Sequence, residues 1–172
     1  YLLVPFTWDG VNASTYNYLT TSAPIANATT FASLPVAQPT VLTHSAVTAT
    51  TITTSWTAAG GGPSGYIVLR STGSSPDTDP VSGTSYTAGN TLGNATVVYV
   101  GAAVTTGAQT GLVDGTTYYY EVYSYNGTGS TRNYLTTSPL SGTQATTAVS
   151  APTATAGTSI TDSGFTANWG AV

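Results

Sequence analysis

Asn17-Tyr18-Leu19-Thr20-Thr21-Ser22 recurs letter for letter as Asn133-Tyr134-Leu135-Thr136-Thr137-Ser138. The step of roughly 116 residues is the length of one all-β domain, far longer than a solenoid unit. Other landmarks keep nearly the same step. Pro39-Thr40 returns as Pro152-Thr153, Trp56 returns as Trp169, and residues 1–8 line up loosely with 118–125. The expected organisation is therefore the last strands of an upstream repeat (1–24), a linker (25–38), a complete repeat (39–148) and the first two strands of a downstream repeat (149–172). A chain organised this way is expected to be a spacer, a stalk or a polymer subunit rather than a self-contained enzyme.

The residues available narrow the chemistry further. Only 5% of the 172 residues are charged, against about 25% in an ordinary soluble domain. Lysine is absent, the basic residues are Arg70 and Arg132, His44 is the lone histidine, and the net charge is −4. Phosphate binding needs a basic patch and counterion release, so nucleic acid is excluded as a partner, as is an anionic membrane surface. No run approaches the roughly 20 apolar residues of a membrane helix, so membrane insertion is not expected. Cysteine is also absent, which removes disulfides, thiolate chemistry and cysteine-ligated zinc. Without lysine there is no Lys–Asn isopeptide crosslink. Thr, Ser, Asn and Gly stand where charge normally keeps domains soluble. Such a surface is expected to be buried in an assembly, to carry sugar, or both.

Apolar residues recur with a period of two nearly everywhere, and Gly, Pro, Asn and Ser cluster between the runs. Strands are expected over 41–47, 51–57, 65–70, 95–100, 103–110, 117–125 and 131–137, with a short one over 84–87. Residues 65–70 are apolar on both faces, Tyr66 and Val68 on one and Ile67 and Leu69 on the other. Something must cover the second face, and the insertion 71–94 is the candidate. Asn126-Gly127-Thr128-Gly129 has the composition of a hairpin turn.

Ile52-x-Thr54-x-Trp56, Gly65-Tyr66-x-Val68 and Leu112-x-Asp114-Gly115-Thr116-x-Tyr118-x-Tyr120-x-Val122 together resemble a fibronectin type III domain. The last run is similar to that family's tyrosine corner, with Tyr118 as the match. The variant resembles the fibronectin-like repeats of large secreted Bacteroidetes-type surface proteins. Arg70 departs from the aromatic or aliphatic residue usual at its place. The resemblance implies an all-β immunoglobulin-like sandwich, an extracellular or cell-surface location, and a structural role in a filament, stalk or adhesin shaft. Its partners would be copies of itself or adjacent repeats. A carbohydrate-binding or spacer module of a secreted hydrolase or adhesin is the alternative. Trp56, Tyr66, Tyr118, Tyr120 and Trp169 are the expected core aromatics.

Convergent reactive groups are sparse. His44 reads as a surface strand residue with no acid near it in sequence, and Glu121 as a solvated strand position, so no catalytic residue and no cofactor are expected. Asp77-x-Asp79 offers carboxylates to a calcium ion, which takes six to eight oxygens; the competing reading is a polar loop stiffened by Pro76 and Pro80. Alternation places Tyr119, Tyr123 and Tyr125 opposite the core. There they would anchor an interface or stack on sugars, or else pack across strands beneath the insertion. Four sequons, at Asn12, Asn27, Asn94 and Asn126, are candidate glycan acceptors.

Overall fold

The computed structural model describes residues 28–170 and the backbone of four two-residue strands before them. Those four are β1 (Leu2–Leu3), β2 (Trp8–Asp9), β3 (Asn17–Tyr18) and β4 (Ala26–Asn27). The rest of the expected upstream repeat lies outside the described residues, as does Asn12.

The central strands are β5 (Thr40–Ser45), β6 (Ile52–Thr57), β7 (Gly65–Thr72), β8 (Thr91–Leu92), β9 (Ala95–Gly101), β10 (Thr105–Gln109), β11 (Thr117–Asn126), β12 (Asn133–Tyr134) and β13 (Leu140–Ala145). They form two antiparallel sheets. One has the order β10-β6-β5; the other has the order β12-β11-β7-β9-β8, with β13 also on β11. This is the expected all-β sandwich. Its core lies between the sheets and contains Ile52, Trp56, Tyr66, Val68, Leu112, Tyr118, Tyr120 and Val122. The period-two pattern is the cause: Ile52, Thr54 and Trp56 are all buried on one face of β6, as alternation requires. Trp56 meets Tyr66 and Tyr99 edge-on, at centroid distances of 5.5 and 5.8 Å.

A second core lies on the far side of β7. Ile67, Leu69, Leu92, Ala95, Val97, Tyr123, Tyr125 and Tyr134 are buried together, with Tyr86 packed against them. The insertion does cover the second face of β7, through Tyr86 and Leu92. It does so without the short strand expected over 84–87; the strand in this region is β8.

Three further details emerge. The hairpin expected after β11 is present, with β11 and β12 paired around it and a 3-10 turn over Gly129–Thr131 within the connection. The returning strand is split into β12 and β13, both paired with β11. Within the expected linker, residues 31–38 are docked on the sandwich. The Ala32 amide donates to the Thr131 carbonyl at 2.8 Å. The Gln38 side chain accepts the Ser124 amide at 2.9 Å and donates to the Leu135 carbonyl at 2.6 Å.

Beyond the sandwich, β14 (Ala154–Thr158) and β15 (Thr166–Trp169) form a separate antiparallel pair. Trp169, an expected core residue, is 69% exposed, and Phe165 is exposed beside it. The reason is geometric: among the described residues no second sheet faces this hairpin. The two rings instead line an open groove of about 430 Å³ with Pro152, Ala154 and Ala167.

Candidate functional site

Alternation on β11 sends Tyr119, Glu121, Tyr123 and Tyr125 to the face away from the main core. Tyr119 is half-buried there. Tyr123 and Tyr125 are 1% and 6% exposed, so their rings are not available to stack on a sugar or to meet another molecule. The insertion and β12 cover them: Tyr134 lies 5.6 Å from the Tyr125 ring, and the Arg132 guanidinium sits 4.4 Å over that ring's face.

The Tyr123 hydroxyl stands between two carboxylates. It lies 2.5 Å from Glu121 Oε2 and 2.8 Å from Asp79 Oδ1. One hydroxyl proton serves one of two acceptors, so the group is short of a proton when both acids are ionised. Burial, helped by the nearby Asp79 charge, pushes the Glu121 carboxyl above its usual value. Burial and its two acidic partners push the Tyr123 phenol far upward.

Asp79 is thus tied to β11. Asp77 accepts the Asn94 amide at 3.0 Å and the Thr78 hydroxyl at 2.9 Å, and the Asn94 amide bond holds its carboxyl below the usual range. Both carboxylates of the calcium candidate already have protein donors. Among the described residues no group of three or more His, Cys, Asp or Glu side chains is placed to hold a metal.

The sequons are similarly committed. Asn94 Nδ2 donates to Ser74 Oγ and to the Ser75 carbonyl, both at 3.0 Å, and Asn94 Oδ1 accepts the Asp77 amide at 3.1 Å. A glycan on that nitrogen replaces one of its two hydrogens and breaks one of those bonds. Asn126 Nδ2 donates to the Ser33 carbonyl at 2.9 Å and its Oδ1 accepts the Ser64 amide at 3.0 Å, which leaves one amide hydrogen free. The side chain of Asn27 lies outside the described residues.

Sequence reasoning missed one cluster. His44 is not a solvated surface residue: its ring lies 5.0 Å from that of buried Tyr120, and its Nδ1 is 3.2 Å from Thr54 Oγ1. Burial lowers its pKa below 6.5. Gln109 Nε2 donates to the same Thr54 oxygen at 3.3 Å, while Gln109 Oε1 accepts from Arg70 Nη1 at 2.8 Å. Arg70 also lies 5.1 Å over the Tyr118 ring. This accounts for an arginine where an apolar residue was expected: it closes the end of the sandwich by stacking on one core face residue and bonding another. Thr54 is fully buried, and the Tyr120 hydroxyl is buried beside Thr54 and Gln109. The signal in the sequence was polar Thr54 at a core-facing position of β6.

A family model described as "Fibronectin type III domain" matches residues 37–138. Among solved structures, a redesigned β-sandwich protein is 19% identical, covering 66% of this chain and 97% of its own, with a TM-score of 0.48. A fibronectin type III domain of human collagen XX is 25% identical, covering 65% of this chain and 100% of its own, with a TM-score of 0.38. No curated protein matches.

Proposed function

Since the chain belongs to the fibronectin type III domain family, whose members are generally non-catalytic structural or spacer modules, we propose that it is a tandem segment of an extracellular filament, stalk or adhesin shaft. One observation carries this reading. The hairpin of β14 and β15 repeats the register of β5 and β6, including its irregularity. In the first, Ala154 pairs with Trp169 and the register shifts by one before Thr158 meets Thr166. In the second, Thr40 pairs with Thr57 and the register shifts by one before Thr43 meets Ser55. Trp169 follows Trp56 by 113 positions, and that step carries one pairing onto the other. A bulge is a specified feature of a strand pair, so its recurrence supports a repeated domain and not only a repeated phrase. The pairing of Trp8 with Tyr18 and Asp9 with Asn17 likewise parallels Tyr125 with Tyr134 and Asn126 with Asn133.

The mechanical logic follows from composition. Hydrogen-bonded sandwiches with two trypsin sites and almost no surface charge resist proteolysis and pack closely. Neighbouring repeats are the partners this reading assigns, with N-linked sugar at Asn126 preferred to Asn94. A carbohydrate-binding role loses support because Tyr123 and Tyr125 are buried. Electron microscopy of the native protein, with glycan-array binding in parallel, is the test. Uniform elongated particles are expected; compact particles with saturable sugar binding would favour the alternative.

A further inference from the structure

The chain enters and leaves the central sandwich by short crossings. On the entry side β4 ends at Asn27. The sandwich takes hold at Ala32, whose amide donates to the Thr131 carbonyl at 2.8 Å and whose carbonyl accepts Asn133 Nδ2 at 2.9 Å. The Ser33 carbonyl is bonded to Asn126 at 2.9 Å, and Pro35 is buried. On the exit side the Thr147 amide donates to the Thr48 carbonyl at 3.0 Å, and the Val149 amide to Asp114 Oδ2 at 3.4 Å. The downstream hairpin takes hold at Thr153, whose carbonyl accepts the Gly170 amide at 2.9 Å. The steps from 27 to 32 and from 149 to 153 reach at most about 18 and 14 Å in a fully extended chain. Both reaches are shorter than two sheet spacings of about 10 Å each, so the ends of neighbouring sandwiches are held against each other.

The surfaces at these ends are apolar. Phe31, Leu34 and Val36 are exposed at the entry end, and Val113 and Val149 at the exit end. Val36 is 81% and Val149 64% exposed. They are 113 positions apart, the step that relates Trp56 to Trp169, and each stands three residues before the opening proline of a repeat, Pro39 or Pro152. A single exposed valine is ordinary; one that recurs at equivalent positions beside a short crossing marks a contact. Resting on the tandem reading above, we propose that consecutive repeats are seated end to end in one orientation. The upstream repeat covers Phe31, Leu34 and Val36, and the downstream repeat covers Val113 and Val149. Domains on one chain move relative to each other unless an apolar interface stops them. Here the short crossing brings the ends together, and a chain with 5% charged residues has little repulsion to part them. The downstream hairpin alone leaves Val113 and Val149 exposed, for a reason of strand order. In the central repeat the entry end is built by Ser64, Asn126 and Gly127, which bond to one another. All three follow β6, so their equivalents in the downstream repeat follow Trp169.

The chain has no cysteine, so a single introduced cysteine reports its own cover by its rate of alkylation with iodoacetamide. Leu34→Cys, Val113→Cys and Val149→Cys are compared with Thr43→Cys, on the exposed flank of β5. Each is measured in the 172-residue chain and in the native protein with its flanking repeats. In the native protein the first three are expected to react at least about tenfold more slowly than Thr43→Cys, as for a surface that opens only locally and in a minority of molecules. In the 172-residue chain Val113→Cys and Val149→Cys should react as fast as Thr43→Cys. Equal rates in a native protein that electron microscopy shows to be elongated would overturn the fixed joint and leave the tandem reading standing. Compact particles would remove both. Slow reaction of Val113→Cys or Val149→Cys in the 172-residue chain would also overturn the joint, because the cover would then come from within the chain itself.

Discussion

The Tyr118 hydroxyl accepts the backbone amide of Val113 at 2.9 Å, tying the first turn of β11 to the loop that enters it. Thr146 closes the same corner from the other side, donating to the Val113 carbonyl at 2.6 Å and accepting the Thr116 amide at 3.0 Å. Tyr118→Phe removes the first tie and leaves the ring in the core. It is expected to cost about 1 kcal/mol, the net worth of one such bond, with no change in the denaturant slope. Urea unfolding of the two proteins checks this; an unchanged midpoint would mean the corner is held by Thr146 alone.

This corner was legible in the sequence because its residues are contiguous, and so was the covered face of β7, because Ile67 and Leu69 interrupt polar alternation. The fate of Tyr123 and Tyr125 was half-legible. Alternation gives the face a residue takes, but whether that face is wet depends on where the 71–94 insertion folds, a long-range fact that periodicity does not carry. The His44 cluster was legible only as one polar residue, Thr54, at a core-facing position of β6. Its members, 44, 54, 70, 109 and 120, come from five different strands, and only the sandwich brings them together.

Gln38 makes three hydrogen bonds to two other segments, through the Ser124 amide on one and the Leu135 and Thr137 carbonyls on the other. Ser124 is fully buried, so Gln38→Ala leaves its amide without a partner in a dry site. A loss of about 2 kcal/mol is expected. Hydrogen exchange gives the sharper readout: the Ser124 amide should exchange faster in the variant, while amides in β6 and β7 change only as global stability does.

Acid should act on this fold in two opposed ways. The Glu121 carboxyl has a folded pKa above its ordinary 4.5, so its protonated form favours the fold. That contribution is fully present below about pH 4.5 and is lost as pH rises through the raised value. His44 is depressed below 6.5; its contribution is present above that value and lost as pH falls through the folded one. The two overlap, so the informative quantity is the difference between wild type and Glu121→Gln. The variant mimics the protonated acid and should gain stability relative to wild type at pH 7, with the gain vanishing toward pH 4. Urea midpoints across that range measure it. A gain that persists at pH 4 would show that the Tyr123–Glu121 contact does not depend on a proton.

Trp56 and Trp169 occupy equivalent register positions yet meet opposite environments, one 4% exposed between Tyr66 and Tyr99, the other 69% exposed on an open hairpin. Trp56→Ala opens a cavity between the sheets and is expected to cost about 3–5 kcal/mol. Trp169→Ala removes no core contact of the central sandwich and should leave its unfolding midpoint within about 0.5 kcal/mol. The two substitutions also sort the fluorescence: Trp169→Ala should remove red-shifted, quenchable intensity and Trp56→Ala shielded intensity, with the third tryptophan, Trp8, common to both variants. If Trp169→Ala destabilised the sandwich as much as Trp56→Ala, the downstream hairpin would have to be packed against it.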